Sequence, residues 1–393
     1  MRDINYICDM KAIQWSIEEY TAKASKGSFA ARAARADVYR NNCEIFQAGA
    51  YLTSSGKTVT LDPSAMLEGT VVFDAPISLP TADGTPIVTR TGVANIGSIE
   101  LGRELQLDGY NPVILNLADA YVACGWYYKG SNAQEESLCR QSTLSQSLYQ
   151  YYGAEQAAQS GVAFRGKRYP MDLRHGAIYS PHVIVFREGA AKGYALMDEP
   201  YETAFISCAA LDFNEKHGKN REYRSSDGGF TSEGREIMRS KIRTIFGAAL
   251  SGGHDALVLG AFGCGAFRLH PDLVASLFRQ VLLEPSFKDR FKVVAFAILE
   301  GKGPETGARG KFAPFYGLFG QYGNNMPAMA APESPAPCDS SRFKEGMTVS
   351  HGTFGRGTVK DVQADRGRVT VDFPGVGTKV LSIDKAKLEI LDN

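Results

Sequence analysis

Residues 114–144 read ILNLADAYVACGWYYKGSNAQEESLCRQSTL. In one stretch the chain passes from an apolar run, through an aromatic loop at Trp126-Tyr127-Tyr128, into a segment that opens with two adjacent acids, Glu135 and Glu136. The run PVILNLA (112–118) is short, apolar and without polar alternation, as expected of a strand covered on both faces. The segment that follows carries two overlapping capping patterns, Ser131 with Gln134 and Asn132 with Glu135. Strand, loop and helix therefore meet at the carboxyl end of a buried strand, where open α/β sheets bind their ligands. Successive helical residues diverge by about 100°. Glu135 and Glu136 are thus expected to face different ways, one staying with the backbone and one pointing into a cleft. The bland alternative is that both acids only complement the positive end of the helix dipole.

Outward from this stretch, four more short apolar runs read as buried strands: HVIVFRE (182–188), AFISCAAL (204–211), ALVLGAF (256–262) and KVVAFAIL (292–299). Helical segments alternate with them. SEGREIMRSKIRTIFGAAL (232–250) sets Met238, Ile242, Ile245 and Ala249 on one stripe and runs into Gly252-Gly253. HPDLVASLFRQVLLE (270–284) places Pro271 near its first turn, where proline is tolerated. A helix is expected over about 29–48, a hairpin around YLTSSGKTVTL (51–61), and an amphipathic helix packed on the body near the start of the chain. The pattern is that of an α/β sandwich with a mixed sheet.

NNMPAMAAPESPAPCDSS (324–341) is Pro/Ala/Ser-rich and aperiodic, so it reads as a linker. It separates a main body, 1–323, from a small module, 342–393. MTVSHGTFGRGTVKDVQADRGRVTVDFPGVGTKVLSI (347–383) alternates apolar and polar residues between glycine turns, the mark of a small all-β barrel.

The whole chain has 393 residues, with 43 basic and 43 acidic side chains. A net charge of zero gives no general pull toward nucleic acid or an anionic membrane. No apolar run reaches the length of a membrane span, and Met-Arg-Asp-Ile-Asn lacks the apolar core of a signal peptide. The seven cysteines are scattered and form no CxxC pair, which argues against a disulfide framework or structural zinc. A cytoplasmic protein without bound metal or cofactor is expected.

A second loop, LGAFGCGAFRLHPD (259–272), sends a buried strand through Gly260, Gly263 and Gly265 to Phe267 and a helix start. Glycines let backbone N–H groups approach a ligand closely, and a helix N-terminus favours anions. A diphosphate suits such a loop, and Phe267 suits stacking on a sugar or base as well as a place in the core.

Taken together, ILNLADAYVACGWYYKGSNAQEESLCRQSTL and LVLGAFGCGAFRLHP (257–271) resemble the bacterial-type poly(ADP-ribose) glycohydrolases, which are macrodomain proteins. The resemblance extends over most of 30–320, including residues 31–61, YSPHVIVFRE (179–188) and KVVAFAILE (292–300). It implies a macrodomain-like three-layer α/β/α sandwich that binds ADP-ribose or an ADP-ribosylated macromolecule. It makes Glu136 the catalytic acid, with Glu135 supporting it. It assigns ligand binding to Gln134, Asn116, Asp119, Gly125, Trp126, Gly260, Gly263, Cys264, Gly265, Ala266 and Phe267. A glutamate sunk in a poorly solvated cleft would hold a proton for the leaving oxygen of a glycosidic bond. The family's three-glycine loop corresponds here to Cys124-Gly125-Trp126, where an indole would either fill the ligand space or force the loop outward. A hydrolase is therefore one reading, and a catalytically inactive ADP-ribose reader the other. Cys124 as a nucleophile is discounted, since no histidine lies near it in sequence, although the fold could bring one close.

The small module resembles the C-terminal Tudor-like (SH3-like) module of UvrD/PcrA-type DNA helicases at Val349, His351, Phe354-Gly355-x-Gly357, Val371-Asp372-Phe373 and Lys379-Val380-Leu381. That resemblance implies a protein partner docking on 342–393. Nine basic against seven acidic residues over 342–393 gives no support to direct nucleic-acid binding. His351 reads as a packed or turn histidine.

Overall fold

A computed structural model describes residues 13–81, 87–300, 310–323, 326, 343–352, 354–363, 368–383 and 388–391. The linker expected over 324–341 lies, Met326 apart, outside them. The chain divides into two compact units, Met1–Met329 and Ala330–Asn393.

The first unit begins with α1 (Ile17–Ala24), α2 (Ser28–Ala48), the hairpin of β1 (Ala50–Leu52) and β2 (Thr58–Thr60), and α3 (Ser64–Gly69). Next come β3 (Val71–Phe73), β4 (Arg90–Ala94), α4 (Ser98–Leu107) and β5 (Pro112–Leu117). Then follow α5 (Gln134–Gln141), α6 (Leu144–Tyr149), α7 (Ala154–Gln159), β6 (Ala177–Arg187) and β7 (Leu196–Cys208). The unit continues with α8 (Ser232–Ser251), β8 (Ala256–Leu259), α9 (Pro271–Leu282), β9 (Val293–Ala297) and α10 (Phe312–Phe319).

One seven-stranded sheet in the order β3-β6-β7-β5-β8-β9-β4 organises this unit. The β3–β6 and β6–β7 pairs are antiparallel, and the pairs from β7 through β5, β8 and β9 to β4 are parallel. β5 is the middle strand. Alternate strand residues serve opposite faces. Val113, Leu115, Leu257 and Val294 join a core with Met238, Ile242, Ile245 and Phe278 of α8 and α9. Ile114, Val258 and Ala295 join a second core with Leu101, Leu105, Leu138 and Leu148 of α4, α5 and α6. Helices thus cover both faces, which is why these strands are apolar throughout. The α8 stripe is fully buried, at about 1.5–3 kcal/mol for each large side chain.

Strand ends differ from the sequence reading for local reasons. The strand expected at 182–188 starts five residues earlier, at Ala177, because a bulge between Ser180 and Val183 absorbs Pro181 and His182. The strand expected at 256–262 stops at Leu259. Phe262 N–H bonds to Gly260 O, so the apolar residues beyond belong to a turn that still faces the core. The strand expected over 204–211 instead spans Leu196–Cys208, its last three apolar residues being buried loop. β3 and β4 carry no apolar run long enough to announce them. In β4, Gly92 lies against the chain at Tyr322, whose Cα a side chain would meet at 2.6 Å. The N-terminal helix packs on the body as expected: Trp15 Nε1 donates to Gly193 O, and Tyr20 meets Tyr194 edge to face.

The second unit is an antiparallel sheet of β10 (Thr348–His351), β11 (Gly355–Gln363), β12 (Arg368–Phe373), β13 (Gly377–Ser382) and β14 (Leu388–Ile390), in the order β13-β12-β11-β10-β14. Val349, Val359, Val369, Val371 and Phe373 fill its core. His351 stacks on Phe354 at 4.6 Å between ring centroids.

Candidate active site

The parallel strands β7, β5 and β8 send their connections out at one edge of the sheet, with β5 between the other two. The connection after β5 is the aromatic loop, residues 118–133, and α5 returns at its end. Gln134, the first residue of α5, docks that helix on the strand. Its Oε1 accepts from Leu117 N–H at 2.8 Å, and its Nε2 donates to Leu115 O at 2.8 Å and to Ser98 Oγ. The amide is thus engaged by protein and docks the first turn of α5 on β5.

Glu135 and Glu136 are both buried, at 3% and 5% exposure. Glu135 Oε2 accepts from Asp119 N–H at 2.8 Å, and Oε1 from Cys124 N–H at 3.2 Å and Asn116 Nδ2 at 3.3 Å. Glu136 Oε1 accepts from Trp126 N–H and Oε2 from Ala133 N–H, each at 3.1 Å. Oxygens of both carboxylates lie close beneath Gly125, and neither is given to solvent. The loop wraps around the helix start and meets both. The cap also differs from the expected one. Helix α5 begins after Ala133, and Glu136 at its third position reaches back to Ala133 N–H. This is half a capping box, because alanine has no side-chain acceptor. Ser131 O and Asn132 Oδ1 instead accept from the buried Arg140, whose Nε donates to Tyr194 OH.

Gly125 sits over the pair. Its φ is +53°, and a Cβ there would lie 2.7 Å from Glu136 Oε1 and 3.5 Å from Glu135 Oε2. Glycine is required for conformation and for closeness. Burial pushes the Glu135 carboxyl well above its ordinary range, helped by the charges of Glu136 and Asp119. The Asp119 N–H and the Asn116 amide pull the other way. Two buried polar atoms flank this region without partners, Asn116 Oδ1 and Tyr169 OH. Glu135 is the foremost charge acting on Tyr169. Asp119 turns its own carboxylate back to Tyr121 and Val122 N–H, which fixes the start of the loop.

Cys124 takes a left-handed conformation, φ +64°, with its thiol fully buried. Burial pushes that thiol up, and it is hydrogen-bonded to Cys139, so it is no activated nucleophile. Trp126 leaves its amide on Glu136 and turns its indole outward, 44% exposed.

The glycine loop after β8 mixes packing with access. Gly263 has φ +74°, and a Cβ there would meet Leu269 Cδ1 at 2.5 Å and Ala210 Cβ at 2.7 Å, so the core demands it. Gly260 and Cys264 are buried. Phe267 is half-buried against the core and its carbonyl accepts from Phe213 N–H, while Ala266 O accepts from Asn214 Nδ2. Gly265 is the open member: the nearest atom to a Cβ there is Lys311 Nζ at 3.8 Å. Lys311 comes from the start of α10, 46 positions away by number (311 − 265), and no local pattern in the sequence marks it. Sequence reasoning also misses a shallow basic depression of about 730 Å³, lined by Arg221, Arg224, Ser225, Ser226 and Gly228, on the connection after β7. Among the described residues, no group of three or more His, Cys, Asp or Glu side chains is placed to hold a metal ion, and no helix is long and apolar enough to cross a membrane.

Residues 40–188 match the family model of the microbial-type PARG catalytic domain. Among solved structures, the chain is similar to poly(ADP-ribose) glycohydrolase from Thermomonospora curvata, with 27% identity over 72% of this chain and 99% of that one and a TM-score of 0.56. The same enzyme bound to the inhibitor ADP-HPD gives 28% identity over 73% and 100% of the two chains, also with a TM-score of 0.56. The Deinococcus radiodurans enzyme in complex with ADP-ribose gives 25% identity over 65% and 95%, with a TM-score of 0.48. No curated relative matches the chain by sequence.

Proposed function

We propose that the chain is a poly(ADP-ribose) glycohydrolase, a glycosyl hydrolase that cuts the O-glycosidic bond of an ADP-ribose unit with Glu136 as general acid. The observation that carries the assignment of the acid is the seat of Glu136: buried near the end of the central strand, fixed by two backbone N–H groups, and approached by Gly125 so closely that a Cβ there would lie 2.7 Å from its Oε1. The family match over 40–188 and the likeness to the Thermomonospora enzyme support the reaction class.

In this reading the fold is a macrodomain. The proton of Glu136 passes to the glycosidic oxygen, the bond from the ribose C1 to that oxygen breaks, and its electron pair leaves with the departing hydroxyl. Water then adds to the oxocarbenium-like ribose and returns a proton to Glu136. Glu135 holds the loop through Asp119 and Cys124 N–H and is a positioning residue, as is Gln134. Asn116 and Asp119 shape the floor. The open backbone around Gly265, with Ala266 beside it and Lys311 as a cation, suits the diphosphate. Gly260, Gly263, Cys264 and Phe267 hold that loop in place. The second unit is a Tudor-like barrel that docks a protein partner.

Trp126 at the loop's third position favours a second reading, a module that binds ADP-ribose without cutting. Purified wild type and Glu136→Gln, each incubated with poly(ADP-ribose) and with mono-ADP-ribosylated protein, separate the two by chromatography of free ADP-ribose. Release by wild type alone is the expected result. Calorimetric binding without release from either substrate would establish the reader.

A further inference from the structure

The rim beside Glu136 carries an exposed aromatic pair with a cation on it. Trp126 and Tyr128 are each 44% exposed, with ring centroids 6.0 Å apart. Lys129 Nζ lies 4.2 Å from the indole centroid and 5.2 Å from the tyrosine ring. Two guanidinium groups hold the ledge on α2: Arg32 Nε donates to Lys129 O at 2.9 Å and Arg35 Nε to Gly130 O at 2.8 Å. A single exposed aromatic is ordinary. This pair differs in its root, because the Trp126 amide is one hydrogen bond from the carboxylate proposed as the acid. Flat apolar rings beside several cations match a nucleobase and its phosphates, the first by stacking and the second by charge.

We infer that Trp126, Tyr128 and Lys129 form a leaving-group subsite that takes the adenine nucleotide of the neighbouring ADP-ribose unit in the polymer. The inference rests on the glycohydrolase reading. A general acid stands on the side from which the leaving oxygen departs, so the group that departs emerges where the acid's own loop presents its outward side chains. In a polymer that group is itself an adenine nucleotide carrying a diphosphate. An indole where the resembling family has glycine thus adds recognition of the second unit.

The test is calorimetry on the full chain carrying Glu136→Gln, with ADP-ribose and with its two-unit oligomer as ligands. The oligomer is expected to bind about tenfold more tightly than the monomer, the scale of one stacked base. Adding Trp126→Ala removes that advantage, Trp126→Phe keeps most of it, and Lys129→Gln reduces it together with its salt dependence. Equal affinity for the two ligands, or an advantage that survives Trp126→Ala, overturns the inference and leaves the glycohydrolase reading standing. Equal weakening of both ligands by Trp126→Ala also overturns it, by assigning the indole to the first unit. Binding of neither ligand sinks the inference and the underlying reading together. As a check independent of Glu136→Gln, Trp126→Ala alone should raise KM on the polymer about tenfold while kcat stays within about twofold; a fall in kcat with KM unchanged would contradict the subsite.

Discussion

The N–H of Trp126 donates to Glu136 Oε1 at 3.1 Å while the indole of the same residue faces solvent. Backbone and side chain at this position thus have separate tasks. The contact that fixes the acid needs only a peptide N–H, so any residue able to adopt the local φ and ψ keeps it. The bulk of Trp126 therefore stands on the outside of the loop, while its N–H holds the Glu136 carboxylate.

Replacing Glu136 by Gln removes the proposed proton donor and is expected to lower ADP-ribose release by about 10²–10⁴-fold. It also sets the new amide nitrogen against either Trp126 N–H or Ala133 N–H, both of which now donate to the carboxylate. A loss of about 1–3 kcal/mol of stability should accompany the kinetic effect. Chromatographic release assays and urea titration measure the two separately.

Gly125→Ala tests closeness. The added methyl would lie 2.7 Å from Glu136 Oε1 in a left-handed conformation. Moving the carboxylate aside costs one of its N–H bonds, and the backbone strain adds about 1–2 kcal/mol. Activity should fall at least about tenfold, with a lower melting temperature by calorimetry. Wild-type activity in this variant would show that Glu136 does not work from the seat described.

Glu135 predicts a pH dependence. Burial holds its carboxyl well above the ordinary 4.5. A carboxyl raised in this way binds its proton more tightly in the folded chain than in the unfolded one. Its contribution to stability is complete below pH 4.5 and is lost as pH rises through the folded value. Denaturant titrations above pH 4.5 should show a one-proton decline, at most about 1.4 kcal/mol per pH unit. Glu135→Gln should flatten it; parallel profiles for the two proteins would contradict the assignment.

Gln134→Glu leaves the Leu117 N–H bond possible but turns a carboxylate oxygen toward Leu115 O, which now accepts from the amide at 2.8 Å. The helix start should lift from β5, at about 1–3 kcal/mol. Turnover should fall with it although Gln134 touches no reacting atom. Hydrogen exchange at Leu117 N–H reads the loosening directly.

Much of this was legible in the chain itself, because buried parallel strands and strongly amphipathic helices announce themselves by pattern. α8 begins where its sequence says, at Ser232, and the hairpin around 51–61 pairs as expected. The pairing of Glu135 and Glu136 with the aromatic loop was not legible, since helical spacing fixes where a side chain starts and not what a folded loop brings to it. Of the two expected caps, the Asn132 side chain accepts from Arg140, eight residues on, and at Ser131 it is the backbone carbonyl that Arg140 meets. Lys311 reaches the loop at Gly265 from a distant segment, for which local pattern carries no signal. Gly263 shows the converse limit: inside a ligand-like loop, a packing demand from Leu269 and Ala210 also calls for glycine, and spacing in the sequence does not reveal it.

Four peptide N–H groups of the loop, those of Asp119, Cys124, Trp126 and Ala133, end on the side chains of two consecutive residues in one helical turn. A motion that frees one member of each set loosens the carboxylate on which the others depend. The loop and the first turn of α5 therefore open as a single cooperative unit rather than fraying residue by residue. Solvent deuterium should enter all four positions at one shared rate, the opening rate of a single latch.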